Sequence, residues 1–167
     1  MNVLRHFAAV AILPFTVTVL IPWWVARRDR VVLALGTSPD ALALQGAGVL
    51  VLSVGVLLFA SSLGRFATEG EGTLAPWDPP RHLVVRGPYR FVRNPMISGV
   101  IFILAAEAMI LRSQSHALWA VTFLIVNLVY IPLIEEPMLR MRFGDAYREY
   151  CRHVPRVFPR IRPWRNS

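Results

Sequence analysis

The residues best suited to bind a charged ligand lie in two short segments of the chain. The first segment, residues 86–99, contains Arg86, Arg90 and Arg93 with two aromatic residues, and an apolar stretch begins after Pro95. Backbone N–H groups at a helix start attract anions, and guanidinium groups bind carboxylates and phosphates. We therefore expect residues 86–99 to hold an anionic group near the start of a helix.

The second segment, residues 130–137, places Glu135 and Glu136 side by side at the end of another apolar stretch. Pro132 and Pro137 flank the pair, and proline interrupts the hydrogen-bond ladder of a helix. We interpret the two carboxylates as ligands for the ammonium group or the ribose hydroxyls of a polar ligand. The alternative is structural: the pair caps the next helix, and Pro137 occupies its first position.

The elements that position these segments are apolar enough for a lipid bilayer. Hydrophobic residues make up 55% of the 167 residues and charged residues 17%, whereas about a quarter of residues are charged in a typical soluble domain. Four stretches approach or reach the roughly 20 residues that a membrane-spanning helix needs. They are residues 6–26, 41–63, 96–111 and 117–134. The sequence therefore predicts one all-α membrane domain over residues 1–167, a bundle of about four transmembrane helices.

Local signals indicate how these helices begin and pack. Arg5 precedes the first stretch, as in a signal peptide, but no small-residue cleavage motif follows, so we expect an uncleaved span. Ser38 and Pro39 are a typical cap and first residue for the second helix. Small residues recur every seven positions along it, namely Ala41, Gly48, Gly55 and Ser62. Such a stripe lets another helix approach closely, within the bundle or in a dimer. We expect Asn127 to form an interhelical hydrogen bond, with a ligand contact as the alternative.

The arginines indicate how the chain is oriented in the membrane. The sequence has 18 arginines and no lysine; with four spans, 14 arginines lie in the N-terminus, the 64–95 loop and the C-terminal tail, and four lie on the other side. Cytoplasmic segments carry an excess of positive charge. We therefore expect both termini and the 64–95 loop to face the cytoplasm. Glycine, proline and aromatic residues in that loop favour an ordered structure, with residues 83–85 extended.

The chain after Pro137 predicts helices that lie against the membrane surface. Apolar and aromatic residues recur there at near-helical spacing, as in an amphipathic interfacial helix. They are Leu139, Phe143, Tyr147, Tyr150 and Val154. We expect Gly144 and Asp145 to divide residues 137–154 into two short helices. Packing in a protein core is the alternative explanation for the two tyrosines.

Composition excludes several other functions. Cys151 is the single cysteine, which rules out a disulfide framework, a redox pair and a thiolate zinc site, and we expect no metal. A pI near 11.2 is typical of nucleic-acid binding, but the sequence lacks zinc-ligand spacing and basic patches interleaved with aromatic residues. We expect anionic membrane lipids, and no nucleic acid, as partners of the arginines.

The two segments and the C-terminal residues together resemble the membrane-embedded methyltransferases of the isoprenylcysteine carboxyl methyltransferase and phosphatidylethanolamine N-methyltransferase superfamily, in a bacterial form. The similar blocks are residues 87–96, residues 135–137 and parts of residues 143–156. The commoner form of the first block has His where this chain has Asn94, and Tyr where it has Ile97. The resemblance implies that the protein binds S-adenosylmethionine, with S-adenosylhomocysteine as the product, at the cytoplasmic face of the bacterial inner membrane.

The resemblance also implies roles for individual residues. The catalytic residues it implies are Arg90, Arg93 and Asn94. The cofactor-binding residues are Arg93, Asn94, Pro95, Met96, Glu135, Glu136, Tyr147 and Tyr150, with Ser62 and Gly64 as candidates from a weaker match. The substrate-binding residues are Trp77, Arg81, Arg86 and Tyr89. In this interpretation the two glutamates bind the ammonium group or the ribose, Arg93 binds the carboxylate, and one tyrosine contacts the adenine.

The sequence leaves the methyl acceptor open among a carboxylate, an amine and a thiol on a lipophilic molecule that enters from the bilayer. Two other functions remain as alternatives. A nicotinamide-dependent membrane reductase of the sterol reductase type has a similar C-terminal arrangement, although the Glu135–Glu136 pair favours the methyltransferase. A non-enzymatic membrane protein could use its arginines to bind lipid. The oligomeric state is also open, with a homo-oligomer as one option.

Overall fold

The computed structural model describes residues 11–69, 82–156 and 159–164 as helices with short connections. The first helix, α1, is π-helical over Ala11–Leu20 and α-helical over Ile21–Arg28. It is followed by α2 (Pro39–Glu69), a 3₁₀ turn (Gly87–Arg90) and α3 (Pro95–Leu111). The chain then continues with α4 (Gln114–Tyr130), a π-helical segment (Ile131–Glu135) and α5 (Glu136–His153). The described residues contain no β-strand, which confirms the prediction of an all-α fold.

Two helices are long and apolar enough to cross a membrane. They are Pro39–Arg65 within α2 and the continuous helix Gln114–His153, whereas α3 is apolar but shorter. Leu50, Leu57 and Leu118 on α2 and α4 are all exposed, as expected for side chains that face lipid. A bundle of four spans and an interfacial position for α5 remain predictions, and the first stretch, residues 6–26, begins outside the described residues.

The backbones of α2 and α3 touch along the stripe of small residues. A Cβ atom added at Gly55 would lie 3.0 Å from the carbonyl oxygen of Gly99, and one added at Gly99 would lie 2.8 Å from the amide nitrogen of Phe59. Ser62 is fully buried, and its hydroxyl donates to Leu58 O within α2 at 2.6 Å. The stripe therefore serves packing within one chain, as predicted for the bundle.

Buried polar side chains attach the outer ends of the helices to one another. Gln45 donates from Nε2 to Ala34 O at 2.8 Å and to Ile110 O at 2.9 Å, and its Oε1 accepts from Gly36 N at 2.9 Å. On α4, Nε2 of the buried His116 lies 3.1 Å from Pro22 O. These contacts position the connection before α2 and hold α1 against α4.

The helix starts follow local sequence signals. Ser38 Oγ accepts a hydrogen bond from Ala41 N at 3.3 Å and Pro39 is the first residue of α2, which confirms the predicted start. α2 extends to Glu69, beyond the predicted end of the second span, so residues 64–69 are helical and not part of the loop. Arg112 has a left-handed backbone with φ 50°, which ends α3 and turns the chain into α4.

The junction between α4 and α5 contradicts the capping alternative for Glu135 and Glu136. Glu135 has helical backbone angles and makes no capping hydrogen bond, so the glutamate pair does not cap a new helix. The π-helical segment takes up Pro132 without ending the helix, because its wider turns change which backbone groups are paired. Gly144, with φ 54° and ψ −127°, interrupts α5 at the predicted position.

Candidate functional site

The C-terminal tail holds the first sequence segment against α5. Arg93 N donates to Pro155 O at 3.0 Å, Arg160 N donates to Phe91 O at 2.9 Å, and Trp164 N donates to Arg90 O at 3.0 Å. The side chain of Arg90 returns a hydrogen bond from Nε to Trp164 O. Residues 90–93 and the tail therefore run beside each other, which fixes the start of α3 relative to α5.

Glu136 is the centre of a buried group of charges. Its Oε1 accepts from Arg93 Nη1 and from Arg156 Nε, each at 2.7 Å, and its Oε2 accepts from Arg156 Nη2 at 2.8 Å. Arg140 lies 3.5 Å from Oε2. Glu136 is only 1% exposed, so its buried negative charge is balanced by these arginines. We call Glu136, Arg93, Arg140 and Arg156 together the Glu136 cluster. An uncompensated buried charge would be strongly destabilising.

Arg93 extends this cluster to the end of α5. Its Nε donates to Val154 O at 2.8 Å, and its Nη1 also lies 3.3 Å from Cys151 Sγ. One guanidinium group therefore bonds a carboxylate, a backbone carbonyl and a thiol on the same helix. Because Arg93 directly precedes Asn94, these bonds also set the position of Asn94.

Glu135 has a different environment from Glu136. It is half-buried, and the Asn94 amide nitrogen, turned toward the carboxylate, donates to Oε1 at 3.3 Å. Both glutamates follow Ile134, the end of the predicted apolar span. Burial, and then the charge of Glu136, raises the pKa of Glu135. For Glu136 burial acts in the same direction, but hydrogen bonding from Arg156 and the charges of Arg93, Arg156 and Arg140 outweigh it and lower its pKa.

Aromatic side chains of α5 form a second buried cluster beside the charges. The rings of Tyr147 and Tyr150 are covered, with centroids 6.0 Å apart, and Trp164 lies 5.9 Å from Tyr150. The Tyr150 hydroxyl donates to Tyr89 O at 2.7 Å. Leu83 and Val85 pack against the same cluster in an extended segment. Core packing therefore accounts for both tyrosines in this structure.

A narrow cleft opens between α3 and α4 next to Asn94. Its volume is about 40 Å³. The residues that line it are Asn94, Ile97, Ser98 and Ile101, then Leu124, Asn127, Leu128 and Ile131, and finally Arg156. Asn127 donates from Nδ2 to Phe123 O on its own helix at 2.8 Å. The described hydrogen bond of Asn127 therefore lies within α4, and the prediction of an interhelical bond is wrong. The alternative of a ligand contact stays open.

The structure brings most of the predicted site residues into one region. Arg90, Arg93, Asn94, Pro95, Met96, Glu135, Glu136, Tyr147 and Tyr150 all lie at the junction of α3, α5 and the tail. Tyr89 is buried beneath Tyr150, whereas Arg86 is exposed. An added Cβ at Gly87 would lie 3.4 Å from the Arg65 side chain, which places the end of α2 with Ser62 and Gly64 near the 3₁₀ turn. Trp77 and Arg81 lie outside the described residues.

Sequence reasoning assigned no role to two residues that the structure places beside the candidate site. Arg156 bonds both oxygens of Glu136, and Ser98 lines the cleft. Arg156 belongs to a block that carries the family resemblance, which was the available signal. In the part of the chain that is described, no group of three or more His, Cys, Asp or Glu residues could hold a metal ion.

The apolar helices, together with a charge cluster buried at their ends, define a helical membrane protein. The chain belongs to the phospholipid methyltransferase family, because the model of that family matches residues 43–146. This match confirms the resemblance seen in the sequence. The matched region contains α3, α4, the two glutamates and the first part of α5, and it ends just before Tyr147.

Two curated relatives are similar to this chain over 47% of its length. One is methanethiol S-methyltransferase 1 from Bradyrhizobium diazoefficiens, 37% identical over 79 residues. The other is phosphatidylethanolamine N-methyltransferase 1 from Vanderwaltozyma polyspora, 32% identical over 80 residues. The matched parts span only 25% and 10% of these relatives. No solved structure matches the chain.

Proposed function

We propose that this protein is an S-adenosylmethionine-dependent methyltransferase that modifies a lipophilic acceptor in the membrane. The observation that carries the proposal is the Glu136 cluster, which fixes Arg93 and the start of α3 and whose members Glu136 and Arg93 lie within the family match. Both relatives are methyltransferases by name, one acting on methanethiol and the other on phosphatidylethanolamine. Methyl transfer requires alignment of two reactants and exclusion of water, which a rigid buried framework supports.

The groups around Asn94 fit the charged end of S-adenosylmethionine. Glu135 accepts a single amide hydrogen bond from Asn94, and a carboxylate has capacity for several more. It is the group that we propose for the ammonium or the ribose hydroxyls. The first turn of α3 would bind the cofactor carboxylate through backbone N–H groups such as that of Met96, and Pro95, which has no N–H, would fix the start of this turn. When bound, the cofactor supplies a methyl group on a positively charged sulfur.

We propose a positioning role for Glu136 and Arg93. Arg93 and Arg156 both donate to the carboxylate of Glu136, so a ligand in direct contact with Glu136 would have to displace an arginine. By holding Arg93, Glu136 fixes Asn94 beside Glu135. Tyr147 or Tyr150 remains our candidate for adenine contact, and a neighbour such as Trp164 would then have to move away from the Tyr150 ring.

The setting of the reaction is also proposed. We propose the bacterial inner membrane, and the distribution of arginines favours both termini and the active site on its cytoplasmic side. Membrane lipids are then partners as well as a source of acceptors. The close packing of α2 on α3 uses the small-residue stripe within one chain, so a homo-oligomer would need another surface.

Calorimetric titration of the purified full chain in detergent with S-adenosylhomocysteine tests the cofactor. We expect saturable binding that is weakened in Glu135→Gln and unchanged in the control Glu149→Gln, because Glu149 is an exposed residue that pairs with Arg152 on α5. A folded protein that does not bind this ligand would refute the proposal. Saturable binding of reduced nicotinamide cofactor in its place would support the reductase alternative.

A further inference from the structure

We propose that the connection between α1 and α2 is a lipid-binding site that takes the phosphate headgroup of an anionic phospholipid. The site consists of the end of α1, residues 23–28, and the loop that follows it, residues 29–36. It lies at the opposite end of the bundle from the Glu136 cluster and does not depend on the proposed methyltransferase function. The family match begins at residue 43, so the whole site precedes it.

Contacts between the helix ends place this site. Gln45, near the start of α2, donates to Ile110 O near the end of α3, and Nε2 of His116 on α4 lies 3.1 Å from Pro22 O on α1. The Glu136 cluster lies at the other end of α3, whose 17 residues span about 25 Å. In the orientation proposed above, residues 23–36 therefore face the outer leaflet of the membrane.

Two arginines at the end of α1 stack on tryptophan rings. Cζ of Arg27 lies 5.1 Å from the centroid of the Trp23 ring, and Cζ of Arg28 lies 5.6 Å from that of the Trp24 ring. A cation over an indole ring is attracted by the ring's π electrons. Both tryptophans are more than half exposed, as is typical of indole side chains at a membrane interface. The stacking therefore holds two guanidinium groups beside the rings that mark this interface.

The guanidinium groups at this end are available to an anion. Arg27, Arg28 and Arg30 are exposed, and none of them forms an ion pair with a described residue. A contact with a ring uses no hydrogen-bond donor, so the N–H groups of Arg27 and Arg28 can bind phosphate oxygens. The described charged residues on this half of the helices are Arg27, Arg28, Arg30 and Arg112, with Asp29, Asp40 and Glu107 as the carboxylates. The arginines are in excess, which favours a negatively charged ligand.

The loop after α1 presents apolar side chains from a fixed backbone. Val32, Leu33 and Leu35 are 76%, 70% and 82% exposed. The backbone of the same loop is bound to α2, because Gln45 Nε2 donates to Ala34 O and Gln45 Oε1 accepts from Gly36 N. A patch of exposed aliphatic side chains marks a surface that contacts a membrane or a partner. The loop can therefore place three aliphatic side chains in lipid beside the arginines.

The combination of these two features favours a phospholipid as the occupant. An anionic phospholipid joins a phosphate group to acyl chains, and residues 23–36 join guanidinium groups to aliphatic side chains. A zwitterionic headgroup carries its own positive charge beside the phosphate, so an anionic headgroup gains more from the arginines. A protein partner would instead require that the loop lie in water when the chain is alone.

Quenching of tryptophan fluorescence by brominated lipids tests the headgroup preference. The full chain is placed in phosphatidylcholine nanodiscs with a small fraction of brominated lipid, either phosphatidylglycerol or phosphatidylcholine. We expect brominated phosphatidylglycerol to be enriched beside the two tryptophans by roughly fivefold, the effect of one arginine near an anionic surface. The preference should disappear in the double variant Arg27→Gln with Arg28→Gln. It should persist in the control Arg148→Gln with Arg152→Gln, which removes two exposed arginines from α5.

A fluorophore on Leu35→Cys, in a Cys151→Ser background, measures the depth of the loop separately. Its emission should be quenched by brominated lipid and shielded from aqueous iodide. The proposal would be overturned by equal quenching from the two brominated lipids, or by an unchanged preference in the Arg27 and Arg28 double variant. A label that iodide quenches and lipid does not would also overturn it, and would indicate a surface for a protein partner. None of these measurements uses S-adenosylhomocysteine, so their failure is distinct from failure of the proposed function.

Discussion

Replacing Glu136 with glutamine leaves Arg93 and Arg156 without the carboxylate that they bind. Glutamine keeps the shape of the side chain but loses the charge and one acceptor oxygen. The Arg93 side chain is 13% exposed and cannot recover its hydration, whereas Arg156 is 36% exposed and can reach water. Removal of one partner from a buried ion pair costs about 3 to 5 kcal/mol. Because Arg156 is partly hydrated, we expect Glu136→Gln to lower the free energy of unfolding by about 3 kcal/mol, at the lower end of this range.

Unfolding in mixed micelles, followed by circular dichroism, measures this loss. The matched control is Glu149→Gln, which removes an exposed carboxylate from the same helix and should change stability little. In the double variant Arg93→Met with Glu136→Gln, the cost should be smaller than the sum of the single costs, because the two residues interact directly. Equal stability of Glu136→Gln and Glu149→Gln, or additive single costs, would refute our account of the cluster.

The same variants separate positioning from folding. Arg93→Ala, studied at a temperature where the protein stays folded, should weaken S-adenosylhomocysteine binding by roughly 1.5 kcal/mol or more, the value of one charged hydrogen bond between Glu135 and the ligand, because Asn94 is no longer held beside Glu135. Wild-type affinity in a folded Arg93→Ala variant would contradict the positioning role of Arg93 and Glu136 and would show that their role is purely structural.

Three further predictions follow from the packing and the carboxylates. Gly99→Leu should prevent the close contact of α2 and α3 and lower thermal stability markedly, whereas Gly46→Ala, with open space at its Cβ, should not. Gln45→Leu should reduce the free energy of unfolding by about 2 kcal/mol, because buried backbone groups lose their partners. The raised pKa of Glu135 stabilises the fold at acidic pH and that contribution is lost as pH rises above its ordinary value of 4.5. Glu135→Gln should therefore flatten the decline in stability above that pH.

Local signals in the sequence predicted helix starts and close packing well. Ser38 and Pro39 predicted the beginning of α2, and the spacing of Gly48 and Gly55 predicted a helix that touches its neighbour. These features depend on residues a few positions apart or on a repeat along one helix. The predicted end of α2 at residue 63 was wrong, because the helix continues to Glu69 through residues that are compatible with both a helix and a loop.

Contacts between distant segments were beyond the reach of the sequence. The pairing of Arg156 with Glu136 joins residues 20 positions apart, and Arg93 is 43 positions from Glu136. A list of charged residues near the membrane surface does not tell which of them pair. The sequence marked Glu135 and Glu136 as equivalent, whereas the fold buries one among arginines and leaves the other beside Asn94. The hydrogen bond of Asn127 within its own helix depends on the rotamer of its side chain, which a sequence pattern does not predict.

Transfer of an isotope-labelled methyl group is the measurement that tests the central claim most directly. The purified full chain is incubated with methyl-labelled S-adenosylmethionine and extracted membrane lipids or long-chain thiols and amines, and the products are analysed by mass spectrometry. Our account predicts a labelled product that forms with wild-type protein and is lost in Glu135→Gln, with Glu149→Gln retaining activity. A folded wild-type protein that neither binds S-adenosylhomocysteine nor labels any acceptor would contradict it.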